Sequence, residues 1–263
     1  MVHDRHGGRV PVLQHLSIAA PAYNEAEGLA EVLLAWVEYL RNYSGLLSFE
    51  IVVCNDGSSD GTGELLDALA AENPEIRPIH LPHNEGAGAA LAQAILHTQK
   101  DWVLLMDTDG QFPVENLERL AKTLQTARVQ AVIGVRCKKD NALARFGSAV
   151  SSRICNRLHG TRLRDFNSAC KLVQGNLLRA LRLEARGMNY STEITARLIE
   201  CGAPLAEVDI EHRAREYGRS HLRFMRDSVH RALFTAYLAL RLLLINRNIL
   251  RVSYEKTARV AKE

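Results

Sequence analysis

No run of this 263-residue chain is apolar for long enough to cross a bilayer. The longest, Ala232 to Ile245, falls short of the ~20 residues that a spanning helix needs and is interrupted by Arg241. The opening MVHDRHGGRVPVLQH has no apolar core, which argues against a signal peptide and reads as a loose lead-in over residues 1–15. Cysteine is scarce and scattered. Cys54, Cys137, Cys155, Cys170 and Cys201 form no CxxC pair and have no histidine at zinc-like spacing, so reduced thiols in a cytosolic protein are expected rather than a zinc site or a disulfide framework. Internal repeats, low-complexity tracts and a Pro/Gly/Ser linker are also missing, and with 47% apolar residues the composition fits one compact domain.

Charge is nearly balanced overall and unevenly spread. The formal net charge is +3, but residues 213–263 hold 12 Lys+Arg against 4 Asp+Glu, a local +8 that leaves −5 on the preceding 212 residues. A basic tail suits an anionic lipid surface or nucleic acid, and a solvated helix face explains it equally well.

Apolar runs at Leu16–Ala20, Phe49–Cys54, Ile76–Leu81, Trp102–Met106 and Gln130–Val135 read as strands. Between them, Ala26–Leu40, Gly63–Ala71, Gly86–Thr98 and Val114–Thr126 carry apolar residues at helical spacing. This alternation predicts an α/β fold with a mostly parallel central sheet and helices on both faces, whose ligands bind at the carboxyl ends of the strands. After residue 136 come a helical, Arg-rich stretch over 141–158, the segment 165–173, a helix opened by Glu193 and a last strand over 206–212. A main domain over 16–218 and a basic amphipathic helical appendage over 219–263 are expected. That appendage could pack on its own domain, bind a partner or lie in a membrane interface.

The polar clusters that follow the strands carry the chemistry. In LLMDTDGQFP, Asp107 and Asp109 stand one residue apart at a strand end, with Gln111 continuing the spacing. Two such carboxylates repel unless a proton or a cation lies between them, and Mg²⁺ or Mn²⁺ prefers oxygen ligands of this kind. The glycine stands fourth in DTDG, not sixth, so this is no EF-hand loop. Strand one ends in Pro21-Ala22-Tyr23-Asn24-Glu25, strand two in NDGSSDGT with Asp56 placed to accept hydrogen bonds, and strand three in a small-residue turn containing Asn84 and Gly86. No Lys follows the second glycine of NDGSSDGT, which excludes a phosphate-gripping P-loop.

Together PAYNE, NDGSSDGT, the 84–88 turn and MDTDGQFP resemble the inverting family 2 glycosyltransferases of GT-A (Rossmann-like) fold. The second half is similar to the dolichyl-phosphate mannosyltransferase and polyprenyl-phosphate glycosyltransferase branch, through a strand ending in Arg136, the segment Asp165 to Lys171, the Glu193 helix and the R-x-x-G-x-S element Arg215 to Ser220. The resemblance implies that Pro21, Tyr23, Glu25 and Asp56 meet base and ribose, with Asn84 and Gly86 on the same substrate. It further implies that Asp107, Asp109 and Gln111 hold Mg²⁺ or Mn²⁺, and that Arg215, Ser220 and His221 close over the donor diphosphate. Arg136 and Arg145 would hold an acceptor phosphate, with Glu193 on the substrate side, and Asp165 would be the base if the acceptor were an alcohol.

Two departures stand out. His221 occupies a place where Lys is common in the branch, and Asn167-Ser168-Ala169-Cys170 replaces a Ser-Gly-Phe-Arg-like run, so that Lys171 is the candidate cation there. No Q-x-x-R-W sequence occurs, against a processive polysaccharide synthase. The expected activity is metal-dependent, inverting transfer of a hexose from a GDP-mannose- or UDP-glucose-type donor to a polyprenyl (dolichyl or undecaprenyl) phosphate. An alcohol acceptor, a nucleotidyltransferase and a catalytically silent binding protein remain alternatives. Expected partners are the nucleotide sugar, the lipid, a membrane surface met through the C-terminal helix and a small membrane protein, without nucleic acid. The expected location is the cytoplasm, peripheral on the cytoplasmic face of a membrane.

Overall fold

The computed structural model describes residues 13–137, 142–214 and 224–246. Seven strands form one sheet: β1 (His15–Ala22), β2 (Ser48–Asn55), β3 (Ile76–His80), β4 (Trp102–Leu105), β5 (Ala131–Arg136), β6 (Lys171–Gln174) and β7 (Leu205–Ile210). The helices are α1 (Leu29–Asn42), α2 (Thr62–Glu72), α3 (Ala87–Leu96), α4 (Asn116–Ala127), α5 (Ala142–His159), α6 (Gly175–Ala180), α7 (Tyr190–Glu200) and α8 (Phe224–Asn246). The strand order is β3-β2-β1-β4-β6-β5-β7, parallel throughout except for β6, which runs against both β4 and β5.

Alternate residues of each strand feed two helical layers. Ile18 and Ala20 of β1, Ile51 and Val53 of β2 and Leu104 of β4 pack with Leu33, Trp36 and Leu40 of α1 and Leu117, Leu120 and Leu124 of α4. Ala19, Val52, Val103 and Leu105 face the other way, onto Leu91 and Ile95 of α3, Leu177 and Leu178 of α6 and Ile194 and Leu198 of α7. Strands covered on both faces are apolar at most positions, which is why they read as nearly continuous runs, and two buried exceptions, Ser17 and Glu50, bond to each other.

Three features differ from the expectations. The strand does not stop at Pro21: β1 runs to Ala22, with Pro21 paired to Cys54, and the missing N–H is harmless because pairing to β4 has already ended at Ala19 and Leu105. Helix α1 starts at Leu29 rather than near Ala26. Residues 24–26 are drawn into bonds with the next loop, from Asn24 N–H to Ser58 Oγ (2.9 Å), Glu25 N–H to Thr62 Oγ1 (3.0 Å) and Ala26 N–H to Asp60 Oδ2 (3.1 Å). Strand β6 and helix α6 are too short to leave a periodic signal, at four and six residues.

The C-terminal helix is seated on the domain. Leu238 of α8 is fully buried with Cys155, Phe166 and Ala196, and Arg241 reaches Glu200 at 3.4 Å. Arg197 meets Glu193 (2.9 Å), Glu184 (3.4 Å) and Glu200 (3.6 Å), and the Tyr237 hydroxyl donates to Glu184. The outward face of α8 leaves Leu233, Leu240 and Leu243 more than half exposed. Among the described residues no helix is long and apolar enough to cross a membrane.

Candidate active site

The carboxyl ends of β1, β2 and β4 meet beside α7 and the turn before α3. Strand β4 ends at Leu105, so Asp107, Thr108 and Asp109 lie on a bend just beyond it. The Thr108 hydroxyl donates to Pro21 O at 2.9 Å and also meets the Glu25 carboxylate, tying this bend to the loop after β1. Asp107 turns toward α7, where the Tyr190 hydroxyl donates to its Oδ1 at 2.5 Å. Burial first, then Asp107 and Asp109, push the Tyr190 phenol well above its ordinary range, so the hydroxyl keeps its proton and stays a donor. Thr108, between the two aspartates, faces β1.

Asp109 Oδ1 accepts the Gln111 N–H at 3.0 Å. The Gln111 side chain, expected at the metal, donates through Nε2 to Arg213 O at 3.4 Å, and the Gln111 carbonyl accepts the Arg213 N–H at 2.8 Å. Asn116 clamps the same segment by bonding Glu211 N–H and O, both at 2.8 Å. These bonds carry the chain after β7 to the bend after β4. Arg215, Arg219, Ser220 and His221 follow directly and lie outside the described residues.

Asp56 is 1% exposed. Its carboxylate accepts the Glu85 N–H at 2.7 Å and the Gly86 N–H at 2.9 Å, so much of its bonding capacity holds the 84–86 turn. Burial, countered by those amides, leaves its pKa above the usual carboxylate value. Asn84 is exposed on this turn, and Tyr23 is partly exposed at the end of β1. Gly57 has φ +65°, and an added Cβ would stand 2.5 Å from the His83 carbonyl carbon, so only glycine lets these two loops meet.

On the other side of Asp107, Arg136 at the end of β5 pairs with Asp165 through Nε (2.8 Å) and Nη2 (3.0 Å). Lys171 is fully buried on β6 and donates to Ser168 O. Burial pulls its pKa down to about 7, against the opposing pull of Asp165. A phosphate in solution does not reach a lysine so enclosed, which corrects the expectation that Lys171 replaces a phosphate-binding arginine. Glu193 is likewise enclosed, accepting the amides of Glu184 (3.0 Å) and Ala185 (2.8 Å) and pairing with Arg197. Its place is beneath the loop that packs on Gly86 and Gly88, not in the cleft. Arg145 lies on α5, with its side chain outside the described residues. Tyr190 went unnoticed in the sequence because it belongs to no motif, and Thr108 because it fills the variable place of D-x-D.

Among the described residues no group of three or more His, Cys, Asp or Glu is arranged to hold a metal. Two carboxylates on a bend fit a cation that completes its shell with diphosphate oxygens and water, rather than an all-protein cage. The donor set is therefore suited to Mg²⁺ or Mn²⁺ arriving with a nucleotide.

The family model described as "Glycosyl transferase family 2" matches residues 17–179. A dolichyl-phosphate beta-glucosyltransferase of Trichomonas vaginalis is 34% identical over 135 residues, 49% of this chain and 40% of the relative. An undecaprenyl-phosphate mannosyltransferase of Micrococcus luteus is 28% identical over 214 residues, 77% of this chain and 85% of the relative. Several curated relatives are much longer, this chain spanning 32% to 43% of their length. Among solved structures, glucosyl-3-phosphoglycerate synthase from Mycobacterium tuberculosis, in complex with Mn²⁺ and uridine-diphosphate-glucose, superposes with a TM-score of 0.63 at 18% identity, covering 90% of this chain and 80% of that one. That likeness carries the GT-A fold.

Proposed function

Because the chain belongs to glycosyl transferase family 2, we propose that it moves a hexose from a GDP-mannose- or UDP-glucose-type donor to a polyprenyl phosphate, with inversion at the anomeric carbon. The observation that carries this reading is the pair Asp107 and Asp109 on one bend at the carboxyl edge of β4, between the loop after β1 and the Arg136–Asp165 pair. The relatives that act on dolichyl and undecaprenyl phosphates support the lipid acceptor.

The reaction is a single displacement. An oxygen of the lipid phosphate attacks the anomeric carbon, the bond from that carbon to the diphosphate breaks, and the nucleoside diphosphate leaves with the electron pair. Bound at Asp107 and Asp109, Mg²⁺ or Mn²⁺ supplies Lewis acidity toward the diphosphate. Arg215, with Ser220 and His221, shares the charge that develops on the leaving group. Pro21, Tyr23, Glu25 and Asp56, with the turn of Asn84 and Gly86, frame the nucleotide, and Arg136 and Arg145 would hold the acceptor phosphate. A phosphate oxyanion needs no general base. Asp165 is already gripped through both oxygens by Arg136, which suits an acceptor that brings no proton to remove.

The exposed leucines of α8 and the +8 charge of residues 213–263 support peripheral contact with an anionic membrane, at its cytoplasmic face, where a small membrane protein could assist. The test is nucleoside diphosphate release from a panel of GDP- and UDP-sugars, with Mg²⁺ or Mn²⁺, with and without a polyprenyl phosphate. Release that needs both lipid phosphate and metal is the expected result. Pyrophosphate release, or turnover indifferent to the lipid, overturns the reading.

A further inference from the structure

The first four residues of α7 hold three separate walls of the site. Tyr190 donates to Asp107 Oδ1 at 2.5 Å. Ser191 Oγ donates to Asn167 O (3.1 Å) and Thr192 Oγ1 to Asn167 Oδ1 (2.7 Å), which fixes the segment that presents Asp165 to Arg136. Glu193 accepts the amides of the loop packed on Gly86 and Gly88. Of the four side chains, that of Tyr190 reaches the D-x-D segment.

We propose that Tyr190 is the positioning residue for Asp107, setting the plane of that carboxylate before cation and diphosphate arrive; this rests on the assignment of Asp107 to the cation. Asp107 lies two residues past the end of β4, beyond the ladder that would orient it, and Tyr190 gives its side chain a hold from another element. The Tyr190 ring is 3% exposed, packed in the apolar cluster between the sheet and α3, α6 and α7, and a tyrosine held by its ring cannot swing its hydroxyl away. With one oxygen held, the carboxylate keeps a single orientation, and the ordering cost falls on folding instead of on binding. No motif marks this pair, since its partners stand 83 residues apart.

The test is Mn²⁺ binding to the whole protein, followed by electron paramagnetic resonance of free Mn²⁺, with saturating UDP and, in a parallel series, GDP. Tyr190→Phe keeps the ring and its packing and removes only the donor. Mn²⁺ affinity is expected to fall about 10-fold, the scale typical of lost outer-shell partners, with a melting temperature within about 4 °C of wild type. Ile194→Val, on the same helix and in the same cluster, controls for general loosening and should leave Mn²⁺ affinity unchanged. Wild-type affinity in Tyr190→Phe, while Asp107→Ala loses binding, overturns the proposal and leaves the cation assignment standing. An equal loss in Ile194→Val overturns it as well, by making the effect one of packing. Wild-type binding in Asp107→Ala removes the cation assignment, and the positioning role falls with it.

Discussion

Arg136 grips Asp165 by both carboxylate oxygens, Nε to Oδ2 at 2.8 Å and Nη2 to Oδ1 at 3.0 Å, with Asp165 1% exposed. The pair ties the end of β5 to the segment that turns back into β6. A carboxylate so engaged is well placed to hold structure and poorly placed to take a proton from an acceptor.

Asp165→Asn should therefore lower stability, by about 3 kcal/mol on the scale of broken buried pairs, or roughly 6–12 °C in melting temperature for a chain of this size. Any loss of activity should follow the unfolded fraction. A thermal melt of the variant beside a lipid-phosphate assay checks this, and an unchanged melt with abolished turnover would return Asp165 to the chemistry.

Asp107→Ala and Asp109→Ala should each reduce metal-dependent nucleoside diphosphate release by about 100-fold or more, the scale of removing one preorganised electrostatic stabiliser. Their melts should fall by only a few degrees, because each substitution removes a single acceptor, that of the Tyr190 hydroxyl or of the Gln111 N–H. An unchanged rate in either variant would sink the clamp.

Glu50 offers a pH test away from the site. It is 4% exposed, accepts Ser17 Oγ (2.7 Å) and the Gln99 N–H (2.6 Å), and pairs with Arg77. Burial alone would raise its pKa, but these partners outweigh it and hold the carboxyl below its usual range. With the folded value below the unfolded one of about 4.3, its contribution is fully present above that pH and is lost as pH falls through the folded value. Glu50→Gln should cost about 1–3 kcal/mol at pH 7, and the gap from wild type should shrink below about pH 4. Urea melts across pH 3–7 measure it, and a gap independent of pH would contradict the account.

Leu233 and Leu240, 63% and 56% exposed on α8, are the places to test membrane contact. Replacing both with Glu should leave the melt within a few degrees of wild type, because neither side chain is buried, and should reduce sedimentation with anionic vesicles several-fold. Undiminished sedimentation would remove this face from the membrane reading.

The layered α/β architecture was legible in the sequence because two-sided burial makes each central strand a largely apolar run and each helix an amphipathic one. The site was legible as far as motifs go: PAYNE, NDGSSDGT and MDTDGQFP fall at strand ends, where a parallel sheet exposes its ligand-binding edge. The direction of β6 was not, because four residues alternate alike whichever way they run. Nor was the engagement of Gln111 with Arg213, or of Asp56 with the amides of Glu85 and Gly86, since a motif names a residue type and not its partner.

Sequence alone determined the fold class and the carboxylates at the end of β4, because burial periodicity and local turn chemistry are written in neighbouring residues, and its motifs carried the resemblance to the family. Only the tertiary structure decided that Lys171 and Glu193 are enclosed, that Asp165 belongs to Arg136, and that Tyr190 holds Asp107. Those relations depend on which distant segments the packed sheet brings within hydrogen-bond reach, and no pattern in adjacent residues encodes that.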